Sequence, residues 1–189
     1  VEIRGSGVLI PSLAFGTGPF SVSFWMKAGP GDFSYLISGR RTYGWSFQDR
    51  TSSPYLRFGI NDSGGSDIAS SLTNPFDNAW HHIVGLRDGV DVKLYIDNVA
   101  KTSATDNLRN TDEAPLPALR VVASGDASPV GFHNGFIDDV RIYNRALSAG
   151  EIANLFNETQ SKFNVSKTDS LTKGLVGYWT FDGADIGLS

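Results

Sequence analysis

Apolar and polar residues alternate with a period of two over several short stretches of the chain. In Phe20-Ser21-Val22-Ser23-Phe24-Trp25-Met26-Lys27, Phe20, Val22, Phe24 and Met26 fall on one side, and Ser21, Ser23 and Lys27 on the other. That period predicts a strand with one buried face. Leu56, Phe58 and Ile60 alternate in the same way with Tyr55 and Arg57, and Val92, Leu94 and Ile96 alternate with Lys93, Tyr95 and Asp97. Each of these strands is expected to bury one face only. The apolar run Ile83-Val84-Gly85-Leu86 ends at Asp88-Gly89, a hairpin signal leading into the Val92 strand, and Asp97-Asn98 predicts the next tight turn. Clusters of Gly, Asn, Asp and Ser separate these runs every ~8 to 15 residues, the spacing of an all-β sandwich. One helix is predicted over 148–156: Ser148 and Glu151 form a capping box, and Ile152, Leu155 and Phe156 share one face. Residues 157–173 are polar and without period, which predicts a linker. Beyond it Leu175-Val176-Gly177-Tyr178-Trp179-Thr180-Phe181 reads as a further strand, which must pair with something.

Composition narrows the function. With 189 residues, 40% of them hydrophobic, the chain can bury the core of one domain. Sixteen basic against 20 acidic residues give a net charge of −4, which argues against a nucleic-acid partner. The absence of cysteine excludes disulfides, zinc–thiolate and iron–sulfur sites and thiol catalysis. Apolar runs fall far short of the ~20 residues that cross a bilayer as a helix, so no membrane insertion is expected. A start at Val1, with neither Met nor a leader, reads as a mature or internal piece of a longer protein.

Three segments carry a resemblance: Phe20–Lys27; Trp80-His81-His82-Ile83-Val84 with Lys93-Leu94-Tyr95-Ile96-Asp97; and above all Gly135-Phe136-Ile137-Asp138-Asp139-Val140-Arg141-Ile142-Tyr143-Asn144-Arg145-Ala146-Leu147-Ser148. Together they resemble the laminin-G-like, concanavalin A-like jelly-roll superfamily, and in particular the LamG-type modules repeated in large bacterial surface proteins. The resemblance spans roughly 1–156. It implies a two-sheet antiparallel jelly roll with a concave and a convex face, about six or seven strands per sheet, displayed at the cell surface. In such modules a strand like Gly174–Asp182 stands first, whereas here it stands last. The expected organisation is therefore a sandwich body over 1–156, a linker over 157–173, and over 174–189 the opening strand of a next repeat. That strand, with Leu175, Val176, Tyr178, Trp179 and Phe181 as its assembly residues, either closes this sandwich or fills the gap in a neighbouring copy, since an open edge is a template for another strand.

Catalysis finds little support. The paired-carboxylate strand that some relatives use for glycoside cleavage is absent, as are the nucleophile-elbow, zinc-protease and phosphate-loop motifs, and His81, His82 and His133 suggest no triad. Asp138 and Asp139 are the most informative ionisable pair, because neighbouring strand residues point to opposite faces and one carboxylate must look inward. Unbroken alternation puts Asp138 on the face of Phe136, Val140 and Ile142. Its charge would be met by backbone amides, by Arg141 or Arg145, or by a structural calcium. The resemblance adds Asp182 to that calcium set. Aromatics beside polar residues suggest a sugar platform: Tyr43, Trp45, Tyr55 and Trp80, with Asn61, Gln48 and Asp49 nearby. The loop over 61–67 is a further candidate for a ligand or a cation. Two functions follow: an extracellular, non-catalytic module binding glycan or a surface protein in adhesion, or a self-assembling structural repeat joined through its last strand.

Overall fold

The computed structural model of the chain describes residues 2–3, 8–10, 13–30, 34–39, 43–50, 52–53, 55–112, 119–121, 135–160 and 173–179. Along them run β1 (Glu2–Ile3), β2 (Val8–Ile10), β3 (Phe20–Lys27), β4 (Ser34–Ser38), β5 (Gly44–Asp49), β6 (Leu56–Asp62), β7 (Gly65–Ser71), β8 (Trp80–Arg87), β9 (Asp91–Ile96), β10 (Val99–Thr105), β11 (Leu119–Val121), β12 (Gly135–Tyr143), α1 (Ala149–Gln160) and β13 (Leu175–Trp179). The strands form two antiparallel sheets. One has the order β1-β12-β3-β8-β9-β10, with β13 also on β12, and the other has the order β2-β11-β4-β5-β6-β7. This is the two-sheet all-β sandwich that the alternation predicts.

The core lies between the sheets. Phe20, Val22, Phe24 and Met26 from β3 meet Trp45 and Phe47 from β5 and Leu56, Phe58 and Ile60 from β6. Each such side chain contributes about 1.5–3 kcal/mol on burial. Phe47 is the hub of the aromatic layer, edge-on to Phe24 at 4.9 Å and tilted against Phe58 at 4.7 Å between centroids. Gly85 in the middle of β8 makes room for it. A Cβ there would stand 2.6 Å from Cγ of Phe58 and equally close to Phe47, so any side chain would force the two sheets apart. The turns are where the residue pairs predict them. Asp97 and Asn98 take φ of 51° and 61° between β9 and β10, the type I′ geometry that matches strand twist.

The outer face of the β3 sheet differs from the one-sided burial expected of it. Ser21 and Ser23 are buried, because α1 and the chain leading into it lie across this face. The Ser21 hydroxyl donates to the Arg145 carbonyl at 2.9 Å and accepts the Leu147 N–H at 2.9 Å. Leu147, Ile152 and Leu155 pack on Val84, Leu86 and Tyr143 in a second, smaller core. The helix starts on the capping box: the Ser148 hydroxyl accepts the Glu151 N–H at 3.3 Å, and Glu151 accepts the Ser148 N–H at 2.9 Å. Arg145 grips the same carboxylate with two bonds of 2.9 and 2.7 Å, and this grip, reinforced by Ser148, holds the Glu151 carboxyl down to about 2. The helix runs one turn beyond the predicted end.

The last strand takes its place on this chain's own β12, with Val140 opposite Trp179, Arg141 opposite Tyr178 and Ile142 opposite Gly177. β1 occupies the same edge of β12 further along, at Gly135 and Phe136. Trp179 packs against the main core and Leu175 against the smaller one, while Val176 and Tyr178 are exposed. Gly177 is bare so that the Trp179 ring can lie over it. Phe181 and Asp182 lie outside the described residues.

Candidate ligand-binding site

β12 is not evenly pleated. Its register with β3 slips between Asp138 and Arg141, and Asp139 sits there with φ of 49°. One extra residue reverses the phase of everything before it. Ile137, Val140 and Ile142 point inward, and Phe136 and Asp138 point outward. The inward Asp138 expected from unbroken alternation is thus corrected by the bulge, and the buried carboxylate is Asp139, at 7% exposure. Asp139 accepts the Tyr178 hydroxyl at 3.1 Å, and its own N–H donates to Oδ1 of Asp138 at 2.9 Å. Arg141 lies over the Tyr178 ring, 4.7 Å from its centroid. Among the described residues no three acidic, His or Cys side chains converge as a metal set.

The expected sugar platform is not assembled. Trp45 is 3% exposed and belongs to the core, tilted against Phe20 at 5.8 Å, because its strand turns Trp45 and Phe47 inward together. Tyr55 packs partly buried against the same core, Tyr43 is half-buried just before β5, and Asn61 pairs with Gly44 across β5 and β6. Nor is the 61–67 loop free for a cation. Asp62 accepts Arg109 Nη1 and the Gly64 N–H, both at 2.8 Å, and Asp67 accepts the Asn107 N–H at 2.8 Å with Arg109 Nε 2.9 Å away. Arg87, wholly buried, ties down the same end by donating to the carbonyls of Gly16, Gly18 and Arg109.

An aromatic row does face outward at the other end of the β3 sheet. Phe136, Lys27 and Trp80 stand side by side on β12, β3 and β8. Trp80 is 43% and Phe136 37% exposed. Their ring centroids are 6.3 Å apart although a strand separates them, so the rings lean toward each other across β3 at Lys27. One pair further along, Trp25 stacks on Phe156 of α1 at 5.9 Å and 9°, and it lies 5.3 Å from the His82 ring. The helix end thus walls one side of an open aromatic shelf, with Asp138 opposite Trp25 at its margin. Sequence reasoning picked out Trp80 and missed Phe136, which alternation had put in the core. The signal was two consecutive acids inside an apolar strand, which a bulge accommodates.

The two adjacent histidines have opposite surroundings. His81 is gripped at both ring nitrogens, 2.6 Å from Asp97 and 3.1 Å from Asp77. Burial works against its protonation, but the two carboxylates outweigh it and hold its pKa above the ordinary value. His82 is buried, bonded to the Ser23 hydroxyl at 2.8 Å, and its pKa falls to about 4 through burial, aided by the charge of Arg141 and opposed by Asp97. The unfolded chain titrates both near 6.5. His81 therefore adds stability that is complete below that value and is lost as pH rises through its raised pKa, while the contribution of His82 is complete above that value and is lost as pH falls toward 4. The melting-temperature difference between the wild type and His81→Asn is predicted to shrink as pH rises from about 6.5 through the raised pKa of His81, read by calorimetry; a constant or growing difference would contradict the clamp.

Residues 4–153 match the Laminin_G_3 family model, described as the concanavalin A-like lectin/glucanases superfamily. The Adhesion G-protein coupled receptor V1 of Danio rerio is 25% identical over 175 residues, which is 86% of this chain and 3% of the receptor. The binding domain of Paraclostridial Mosquitocidal Protein 1 superposes with a TM-score of 0.63 at 21% identity, covering 83% of this chain and 42% of that one. A Bacteroides ovatus protein, provisionally assigned as carbohydrate-binding, gives 0.64 at 15% identity over 95% of this chain and 49% of that one. The chain thus spans a small part of the curated relative and under half of either structure, and the structural likeness is one of fold. By the family match over most of its length, the chain belongs to the concanavalin A-like lectin/glucanases superfamily.

Proposed function

We propose that this chain is a non-catalytic, extracellular adhesion module that binds carbohydrate on the Trp80–Phe136 shelf. The observation that carries this reading is the pair of exposed rings leaning together on an open sheet face, since large apolar side chains stay exposed at a cost unless a ligand covers them. A pyranose ring has an apolar face that stacks on such rings, and its hydroxyls find acceptors at the margin, where Asp138 stands. Two further facts support it. The relatives it resembles include a receptor named for adhesion, a binding domain and a protein provisionally assigned as carbohydrate-binding. The ionisable groups best placed for chemistry are committed to structure: His81 to two carboxylates, and Arg87 to backbone carbonyls.

Screening the chain on an immobilised glycan panel, followed by titration calorimetry of the hits, tests the reading. Trp80→Ala is expected to weaken binding by about tenfold or more, the loss of one stacking ring, with little change in melting temperature because the side chain is exposed. Full affinity in that variant, or capture of proteins but no glycans, would defeat the proposal. A calcium at the Asp138–Asp139 corner, with Asp182 as a third donor, belongs to the same proposal as a structural staple. Millimolar calcium should then raise the melting temperature over that in a chelator, since a ligand of the folded state stabilises it, and an unchanged melt would remove calcium from the account.

A further inference from the structure

We infer that the shelf selects acidic sugars, with Lys27 as the residue that recognises the negative charge; this deepens the carbohydrate reading above and rests on it. Lys27 is centred between Phe136 and Trp80 in register, and the two rings on either side of it approach to 6.3 Å. Several other cations are committed. Lys93 pairs with Asp88 at 2.6 Å and Asp91 at 3.5 Å, Arg109 lies between Asp62 and Asp67, Arg145 forks onto Glu151, and Arg87 is wrapped in carbonyls. Among the described residues no carboxylate pairs with the Lys27 ammonium. What sets Lys27 apart in this chain of net charge −4 is its place between two exposed aromatic residues.

The chemistry of the frame defines the ligand. A sugar acid presents an apolar ring face and, at the ring's edge, a carboxylate. Stacking that face on Trp80 brings the edge toward Lys27, and the same step removes water from the ammonium, which strengthens its attraction for an anion. A neutral sugar in the same pose leaves the ammonium desolvated and without a counter-charge, which costs affinity. The discrimination therefore works in both directions, by gain for the acid and by penalty for its neutral counterpart. A lysine is a point charge on a flexible stem, so it accepts either a carboxylate or a sulfate ester.

The test is calorimetry of the whole chain with matched ligands: sialyllactose against lactose, and an oligogalacturonate against its methyl ester, each at low and high salt. The acidic member of at least one pair is expected to bind about tenfold tighter, with the ratio shrinking as salt rises. Lys27→Gln should bring that ratio to about one and Lys27→Arg should restore it, with circular dichroism showing both variants folded. Sulfated lactose distinguishes the anion: binding equal to sialyllactose means the site reads charge alone, and weaker binding means it reads a carboxylate. Equal affinity of the wild type for acidic and neutral partners, or a preference surviving in Lys27→Gln, overturns the inference while leaving the carbohydrate reading intact. Absence of binding to any glycan on the panel overturns the carbohydrate reading itself, and this inference with it.

Discussion

The extra residue in β12 governs how the sandwich presents itself to the outside. Strict alternation would place Phe136 inward together with Val140 and Ile142, and the bulge at Asp138–Asp139 places Ile137 there instead. A left-handed backbone at a non-glycine residue costs about 1 kcal/mol or more, and Asp tolerates it better than most. Here it is held from both sides: the Asp138 carboxylate accepts the Asp139 N–H, and the Tyr178 hydroxyl of β13 reaches the Asp139 carboxylate. The C-terminal strand thus both extends the sheet edge and braces the bulge that turns Phe136 outward to meet Trp80.

Electrostatics divide the molecule into two ends. At the end built by the 13–19 and 106–112 segments, carboxylates and guanidinium groups neutralise one another, and Arg87 and Arg109 lock loops rather than ligands. Buried charges of this kind are tolerable only when fully partnered, which explains why the donors there are spent on backbone carbonyls and aspartates. At the other end, the row of Phe136, Lys27 and Trp80 has aromatic surface in the open and a cation that makes no ion pair among the described residues. The exposed rings offer a ligand apolar surface and the ammonium offers it a counter-charge, and they coincide at one place.

How much of this was legible depended on range. β3, β6 and β9 were readable because their alternation is strict and local, and the helix start because the capping box of Ser148 and Glu151 spans only four residues. β7 and β10 gave no such signal, since sequences such as Gly65–Ser71 and Val99–Thr105 have too few apolar residues to reveal a period. The burial of Ser21 and Ser23 could not be seen at all from β3, because it is imposed by Arg145 and Leu147, more than a hundred residues away. The same limit governs the site. Trp80 was readable only as one of several aromatics beside polar residues, its partner Phe136 was hidden by one bulge, and Trp45, a candidate beside Gly44, is turned inward by the pairing of β5 with β6.

A ligand held by the outer row of Phe136, Lys27 and Trp80 is told from one at the Tyr43–Asn61 side of the molecule by which tryptophan it touches. The indole N–H resonances of the four tryptophans are the most direct witnesses, followed by NMR as a glycan that binds is titrated in. The account predicts a saturating shift of the Trp80 indole, a smaller one at Trp25 beside it, and no movement at Trp45 in the core. A Trp80 signal that stays fixed while the ligand saturates the protein would contradict it.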